Sequence, residues 1–357
     1  SIEGLYTICS ISSVRSAMEE VRSIDTFNLN WVFADREGNI GYKMSGAVPV
    51  RGGGLSGIMP IPGWDSSYDW TGRVGEEEMP SEFNPSAGYI ITANNRLDQD
   101  LVSSIQTMPL SSDRADRIEE LIKELKPLDS EKMKRIQYDV YSRQAERIIT
   151  FLEPYLRKHK QGRELFEWNR EFCPKSRLPS LFDRFYKQLL RETTKDTLFS
   201  ASKTADIIDS EPFFLINHRR IEEAWIADRE PFTGIDWNST VSKVFEKLEK
   251  SRVPKWGKRN RLVMKHLLFG RTPLSILTSA RSEKFRGYYS TVHQGNTSHR
   301  KGGERVNVGP SYHFIAELTK KMAWSNLPGG ARDRPFRRYY KNRLKGWLNG
   351  KYSDWTF

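Results

Sequence analysis

Cysteine is scarce. Cys9 and Cys173 are the two thiols in 357 residues, too few for a disulfide framework, and sequence alone leaves open whether they pair. No apolar run approaches the roughly 20 residues that a membrane-spanning helix needs, so no membrane partner is expected. Zinc-finger Cys/His spacing, helix-turn-helix spacing and the aromatic strand motif of RNA-binding domains are all missing. So are internal repeats and low-complexity tracts. Acidic residues are scarce in one region: residues 251–357 hold 23 Lys and Arg against 5 Asp and Glu, while the whole chain carries +12. The first 250 residues therefore balance at −6. A basic third of this kind could bind nucleic acid by counterion release. Without a nucleic-acid motif, and with its cations interleaved with aromatics (Arg334 to Tyr340), it reads instead as a surface for an acidic polypeptide. No nucleic acid is expected.

The residues that are present suffice for a substantial core: hydrophobic residues make up 37% of the chain and aromatics 12%, well above the composition of disordered segments. Residues Phe27–Ala34 and Asn39–Ser45 read as two strands, joined through Asp35-Arg36-Glu37-Gly38 as a hairpin. Gly46 to Gly63 is Gly- and Pro-rich and reads as loop. Ala87–Ala93 reads as a short buried strand. Ile118, Leu121, Ile122 and Leu125 then fall at helical spacing, with Ser111 and Ser112 as caps and Pro127 as the stop. Further helical stretches are expected over Ser130–Arg157, around Leu181–Leu189, and around Val241–Leu248 after the capping candidates Ser239 and Thr240. Strand signals return near Tyr288, and Ser311–Met322 has the look of an amphipathic helix. The order predicts an α+β chain whose two ends share a sheet. Three regions are expected: a strand-rich region over residues 1–110, a mainly helical region over residues 111–287, and a strand and helix segment over residues 288–357 that returns to the sheet. His293, His299 and His313 have no metal-site spacing and read as surface histidines.

Four segments in order carry a family resemblance. The first is Asn30-Trp31-Val32-Phe33-Ala34-Asp35, then Gly38-Asn39-Ile40-Gly41-Tyr42, Gly46, Pro49 and Arg51. The second is Pro60-Ile61-Pro62-Gly63, Trp70-Thr71-Gly72, and Asn84-Pro85 leading to Gly88-Tyr89-Ile90 and Thr92-Ala93-Asn94-Asn95. The third runs from Arg114 to Ile118 and on to Ile136-Gln137-Tyr138-Asp139 and Ser142. The fourth is Gly309-Pro310-Ser311-Tyr312, Leu327-Pro328-Gly329-Gly330 and Trp347–Tyr352. Together they resemble the C-terminal portion of the large chain of the penicillin acylase (penicillin amidase) family, which are N-terminal nucleophile hydrolases. The match is dense from Phe27 to Ala145, sparse through the helical middle, and moderate after Tyr288. Thr291-Val292-His293 departs from the family's usual Thr-Val-Asn.

The resemblance implies a four-layer αββα fold with a large helical insertion. It also implies hydrolysis of linear N-acyl amides, such as β-lactam side chains or acyl-homoserine lactones. The family's catalytic Ser begins a self-processed chain, and its own α-amino group, with a pKa of about 8, acts as general base. By the same resemblance Asn30 is an oxyanion donor, and Arg51 positions Asn30 or the substrate. No cofactor is implied. Some members hold a structural calcium with carboxylates, but no complete ligand set is placed here. Ser1 lies only 29 positions ahead of Asn30, too close for the nucleophile, and Ile2-Glu3-Gly4 does not match the residues that succeed that serine in the family. Residues 1–26 read as a helical lead-in, with Val14, Met18 and Val21 on one face. The expected nucleophile is thus absent from this chain, and its implied partner is an N-terminal portion or small chain of the same enzyme. The non-enzymatic alternative is a binding protein on the same scaffold, holding an acidic partner with the basic third.

Overall fold

In a computed structural model, the described residues are 1–52, 60–96, 110–195, 197–198, 208, 211–249, 252–266, 268–279, 283–300, 303–332, 334 and 337–357, with backbone alone at 211–217, 297–300, 303–304 and 307. They form two compact units, Ser1–Ala115 with Leu318–Lys320, and Asp116–Glu317 with Lys321–Phe357.

The first unit begins with two short helices, α1 (Ile2–Ile8) and α2 (Val14–Glu20), the latter capped by the Ser13 side chain. Of the expected face, Val14 and Val21 are buried and Met18 is half-buried, and Ala17 is buried as well. Strands β1 (Asn30–Ala34) and β2 (Ile40–Met44) pair antiparallel in register Asn30↔Met44 to Ala34↔Ile40. Asp35 closes the connection: one carboxylate oxygen accepts from the Asn39 and Glu37 amides at 3.0 Å each, the other from the Val14 amide at 3.1 Å. Burial pushes this carboxyl up, and the bonds from Asn39, Val14 and Glu37 outweigh it, holding the pKa below its ordinary value. Gly38 sits at φ +89°, where a side chain is strained. Gly41 has a different reason: a Cβ there would lie 2.5 Å from Met18 Sδ and from Val14 Cγ1, so α2 lies directly on bare backbone. Strand β5 (Ser81–Phe83) completes this sheet on the far side of β2, while β3 (Pro49–Arg51) and β4 (Trp70–Arg73) form a separate ribbon.

The second unit is mainly helical. It contains α3 (Asp113–Leu125, begun at the end of the first unit), α4 (Ser130–Gln137), α5 (Arg143–Phe151), α6 (Glu153–Leu156), α7 (Lys160–Glu167), α8 (Leu178–Thr194), α9 (Glu211–Ile226), α10 (Trp237–Glu249) and α11 (Trp256–Arg259). Ile148, Leu152, Leu165, Phe182, Phe185, Trp225, Val244 and Phe245 meet in one core, each at most 2% exposed. Two carboxylates are buried with them. Glu222 accepts from Arg147, Gln144 and Tyr186, and Asp183 from Arg259 and Tyr288. Buried acids enclosed in this way hold helices together, and removing one partner typically costs about 3–5 kcal/mol. Toward the C-terminus come β6 (Arg261–Leu262), α12 (Ser275–Thr278), β7 (Glu283–Lys284), β8 (Asn296–Arg300), β9 (Gly303–Val308), β10 (His313–Glu317), β11 (Met322–Asn326), α13 (Leu344–Leu348) and β12 (Ser353–Thr356).

Several sequence expectations need correction. The stretch Ser130–Arg157 is three helices, because Asp129 and Ser142 each cap a new start. The cap of α10 is Asp236, which accepts from the Ser239 amide, so Ser239 and Thr240 lie inside the helix. Ala87–Ala93 is not a strand: positive φ at Asn84, Gly88 and Asn94 turns the chain at both ends of the run. Ser311–Met322 is not a helix but the start of the β10–β11 hairpin. His313 and Ile315 are buried while Phe314 is 43% exposed, a period of two that a helical reading of the same apolar positions overlooks. The described strands fall into four sheets, ordered β1–β2–β5, β3–β4, β7–β6–β9–β8 and β10–β11–β12.

The histidines also differ from expectation. His293 is fully buried and His313 5% exposed; the side chain of His299 lies outside the described residues. His293 stacks on Tyr138 at 4.7 Å and on Phe285 at 4.9 Å, and His313 meets Tyr138 at 4.8 Å. Burial, with His313 and Arg286 nearby, lowers the His293 pKa to about 3, and burial lowers that of His313 to about 4. Both are therefore neutral in the fold, while the unfolded chain protonates them below their ordinary value of 6.5. Stability from this term is fully present above pH 6.5 and is lost as pH falls toward the folded values. His293→Phe should remove its share. Urea unfolding at pH 7 and pH 4.5 is expected to show a drop about 2 kcal/mol smaller in the variant than in the parent; equal drops would exclude this origin.

Candidate active site

The side chain of Asn30 opens β1 and is half-buried. The hairpin register explains its surroundings. Asn30 faces Met44, so Tyr42, two residues along β2, lies on the same face of the sheet as a diagonal neighbour. An aromatic side chain spans that diagonal, and the Tyr42 hydroxyl donates to Asn30 Oδ1 at 2.8 Å. Tyr42 is 5% exposed, and burial raises the pKa of its phenol, so it stays protonated and remains a donor. On the other side Asn30 Nδ2 donates to Thr92 Oγ1 at 3.0 Å.

These two bonds fix which way the carboxamide points. Its carbonyl is held by Tyr42 and one N–H by Thr92, and the second N–H has no protein acceptor among the described residues. A donor so held is oriented toward one side and available to an acceptor that enters there. The strand carrying it is anchored as well. The buried Ser45 hydroxyl accepts from Trp31 Nε1 at 2.9 Å and from the Leu29 amide at 3.3 Å, immediately beside Asn30.

Arg51 ends β3 opposite Trp70, in the β3–β4 ribbon, and no hydrogen bond joins it to Asn30 among the described residues. Asn94 and Asn95 serve their own loop: Asn94 Oδ1 accepts from Arg114 at 2.8 Å, and Asn95 Oδ1 from the Ala93 amide at 3.0 Å. The Ser1 hydroxyl bonds Thr26 Oγ1 at 2.9 Å and accepts from the Thr26 amide at 3.0 Å, tying down the start of α1. No group of three His, Cys, Asp or Glu suited to a metal ion occurs among the described residues. Cys9 and Cys173 are both free thiols. Tyr42 and Thr92 lie within recognised segments, but sequence reading does not single them out. The register of the hairpin is the signal that identifies Tyr42.

A family model described as penicillin amidase matches residues 1–357. The chain belongs to the penicillin amidase family. Acyl-homoserine lactone acylase QuiP of Pseudomonas aeruginosa is 34% identical over 140 residues, which is 39% of this chain and 16% of that relative. Penicillin G acylase of Escherichia coli is 41% identical over 76 residues, 21% of this chain and 9% of the relative. The match thus spans less than a fifth of either curated relative's length. A thermostable penicillin G acylase from Alcaligenes faecalis superposes with a TM-score of 0.72 at 14% identity, over 99% of this chain and 69% of that one. The fold is that of the family, an N-terminal nucleophile hydrolase fold.

The Tyr42–Asn30 bond is open to direct measurement. A double-mutant cycle of Tyr42→Phe and Asn30→Ala, read by chemical denaturation, should give a coupling energy of about 1 kcal/mol. Additive effects would mean that the two side chains do not act as a pair.

Proposed function

We propose that this chain is the oxyanion-bearing portion of an amidohydrolase acting on linear N-acyl amides. The observation that carries the reading is the N–H of the Asn30 carboxamide that finds no acceptor among the described residues, held between Tyr42 and Thr92 within a chain of the penicillin amidase family. In this reading the nucleophile is a serine at the start of another segment of the same enzyme, attacking the acyl carbonyl while its own α-amino group takes the proton. The Ser1 hydroxyl, already committed to Thr26, supports assigning that role elsewhere. Asn30 donates its free N–H to the oxygen of the tetrahedral intermediate. Since Tyr42 and Thr92 already orient Asn30, Arg51 is assigned to the substrate rather than to Asn30. The acyl group is the shared feature of the substrates. The names of the relatives offer two amine sides to try, homoserine lactone and the penicillin nucleus.

The test is made in the intact enzyme with an acyl-homoserine lactone and with penicillin G. Asn30→Ala is expected to lower kcat by about 10²–10³ with little change in KM, since a donor of this kind acts mainly on the transition state. Expressed by itself, the chain 1–357 should release no amine from either substrate. A kcat close to the parent's would remove Asn30 from the oxyanion site, and turnover by the isolated chain would return the nucleophile to it.

A further inference from the structure

The second unit carries a cleft of about 620 Å³ between the α12 turn and the segment 337–345. It is built by side-chain bonds rather than left as a gap. The Tyr340 hydroxyl donates to the Thr278 carbonyl and Lys341 Nζ to the Ser279 carbonyl, fastening the two walls together. Nearby, Gly330 passes so close to the Tyr339 carbonyl that a Cβ would overlap it, so the chain folds back on itself here. The guanidinium groups of Arg332 and Arg338 both lie over the Tyr339 ring, at 5.7 and 5.6 Å. Stacking of this sort limits the freedom of an arginine and leaves its planar fork ready for a carboxylate.

The lining is strongly one-sided in charge. Arg337, Arg338, Lys341 and Lys345 surround the cleft, against a single acid, Glu283. Arg337, Arg338 and Lys345 are exposed, and no ion pair engages them among the described residues. Between 332 and 345 the sequence has seven cations and one acid, Asp333. One wall is apolar: Leu277 lines the cleft at 53% exposure, and its neighbours Leu274 and Ile276 are 50% and 82% exposed.

We propose that this cleft is a docking site for a carboxylate-rich polypeptide segment that also carries apolar side chains. Charge complementarity selects an anionic ligand. The leucine wall favours one with aliphatic groups between its charges, which a phosphodiester backbone lacks. The concave shape favours a narrow chain over a flat lipid surface. Such docking is separate from the chemistry at Asn30 and does not depend on it.

The experiment uses fluorescence anisotropy with a labelled peptide repeating Glu-Glu-Leu four times and the chain 1–357. The peptide is expected to bind, and to bind more weakly as salt rises. The charge reversals Arg337→Glu and Lys345→Glu together should weaken it about tenfold or more. A peptide repeating Gln-Gln-Leu should not bind. Circular dichroism verifies that the variant is folded; if it is not, Lys345→Gln alone, at an exposed position, should still reduce affinity. Absence of peptide binding, equal binding of the Gln peptide, or unchanged affinity in a folded variant would overturn the proposal. So would tighter binding of a thymidine oligonucleotide or of phosphatidylserine vesicles.

Discussion

The hydrogen bond from Tyr42 to the Asn30 side-chain carbonyl is the contact on which the candidate site rests. An asparagine carboxamide can turn about its last torsion and present either its oxygen or its nitrogen. A protonated phenol held in the sheet stabilises one of these states, with the oxygen inward and the nitrogen outward. Thr92 then takes one of the two N–H groups and leaves the other. The selection reaches back into the hairpin. If β2 slipped by one residue against β1, Tyr42 would move to the opposite face and the bond would be lost. The register is held by the Asp35 carboxylate, which ties the Asn39 and Glu37 amides of the turn and also the first residue of α2. Gly38 supplies the backbone angle, and Gly41 the space for α2. Asp-Arg-Glu-Gly-Asn, an ordinary turn sequence when read alone, therefore helps decide the orientation of a side chain several residues away.

Much of this first unit is legible in the sequence because its signals are local. Alternation, a glycine-containing turn and an acid placed to cap it all lie within 20 residues, so the hairpin and the role of Asp35 emerge from chemistry that the sequence displays directly. The helices of the core are readable for a similar reason, since Leu181, Phe185 and Leu189 keep their spacing over a long stretch and all three are buried. Misreadings arise where two periods fit the same residues. Ile315, Leu318 and Met322 fall at i, i+3 and i+7 and can be placed on one helix face, and only pairing with residues 322–326 shows that the segment is extended. At Ala87–Ala93 the apolar run suggests a strand, whereas positive φ at both ends precludes one. Thr92 cannot be found at all by spacing, because it reaches Asn30 across 62 residues of chain.

Histidine burial is hidden for a different reason. A lone histidine gives no pattern, and its default place is the surface. His293 and His313 are inside because Tyr138, Phe285 and Trp347 form a stacked aromatic group that accepts an imidazole as another flat ring. The same burial that makes the packing favourable prevents either ring from charging.

The charge imbalance of the sequence separates into two uses. Within the helical core, Arg147 is engaged by Glu222, and Arg259 and Lys187 by Asp183, so these cations are matched with buried acids. Both acids come from the first 250 residues, whereas Arg259 comes from the basic third. Around Tyr340 four more of its cations, Arg337, Arg338, Lys341 and Lys345, are gathered into a concavity instead of being spread out, against their mutual repulsion. Hydrogen bonds from Tyr340 and Lys341 to carbonyls of the α12 turn hold them there. A carboxylate-rich segment docked in the cleft, as proposed, would relieve this repulsion.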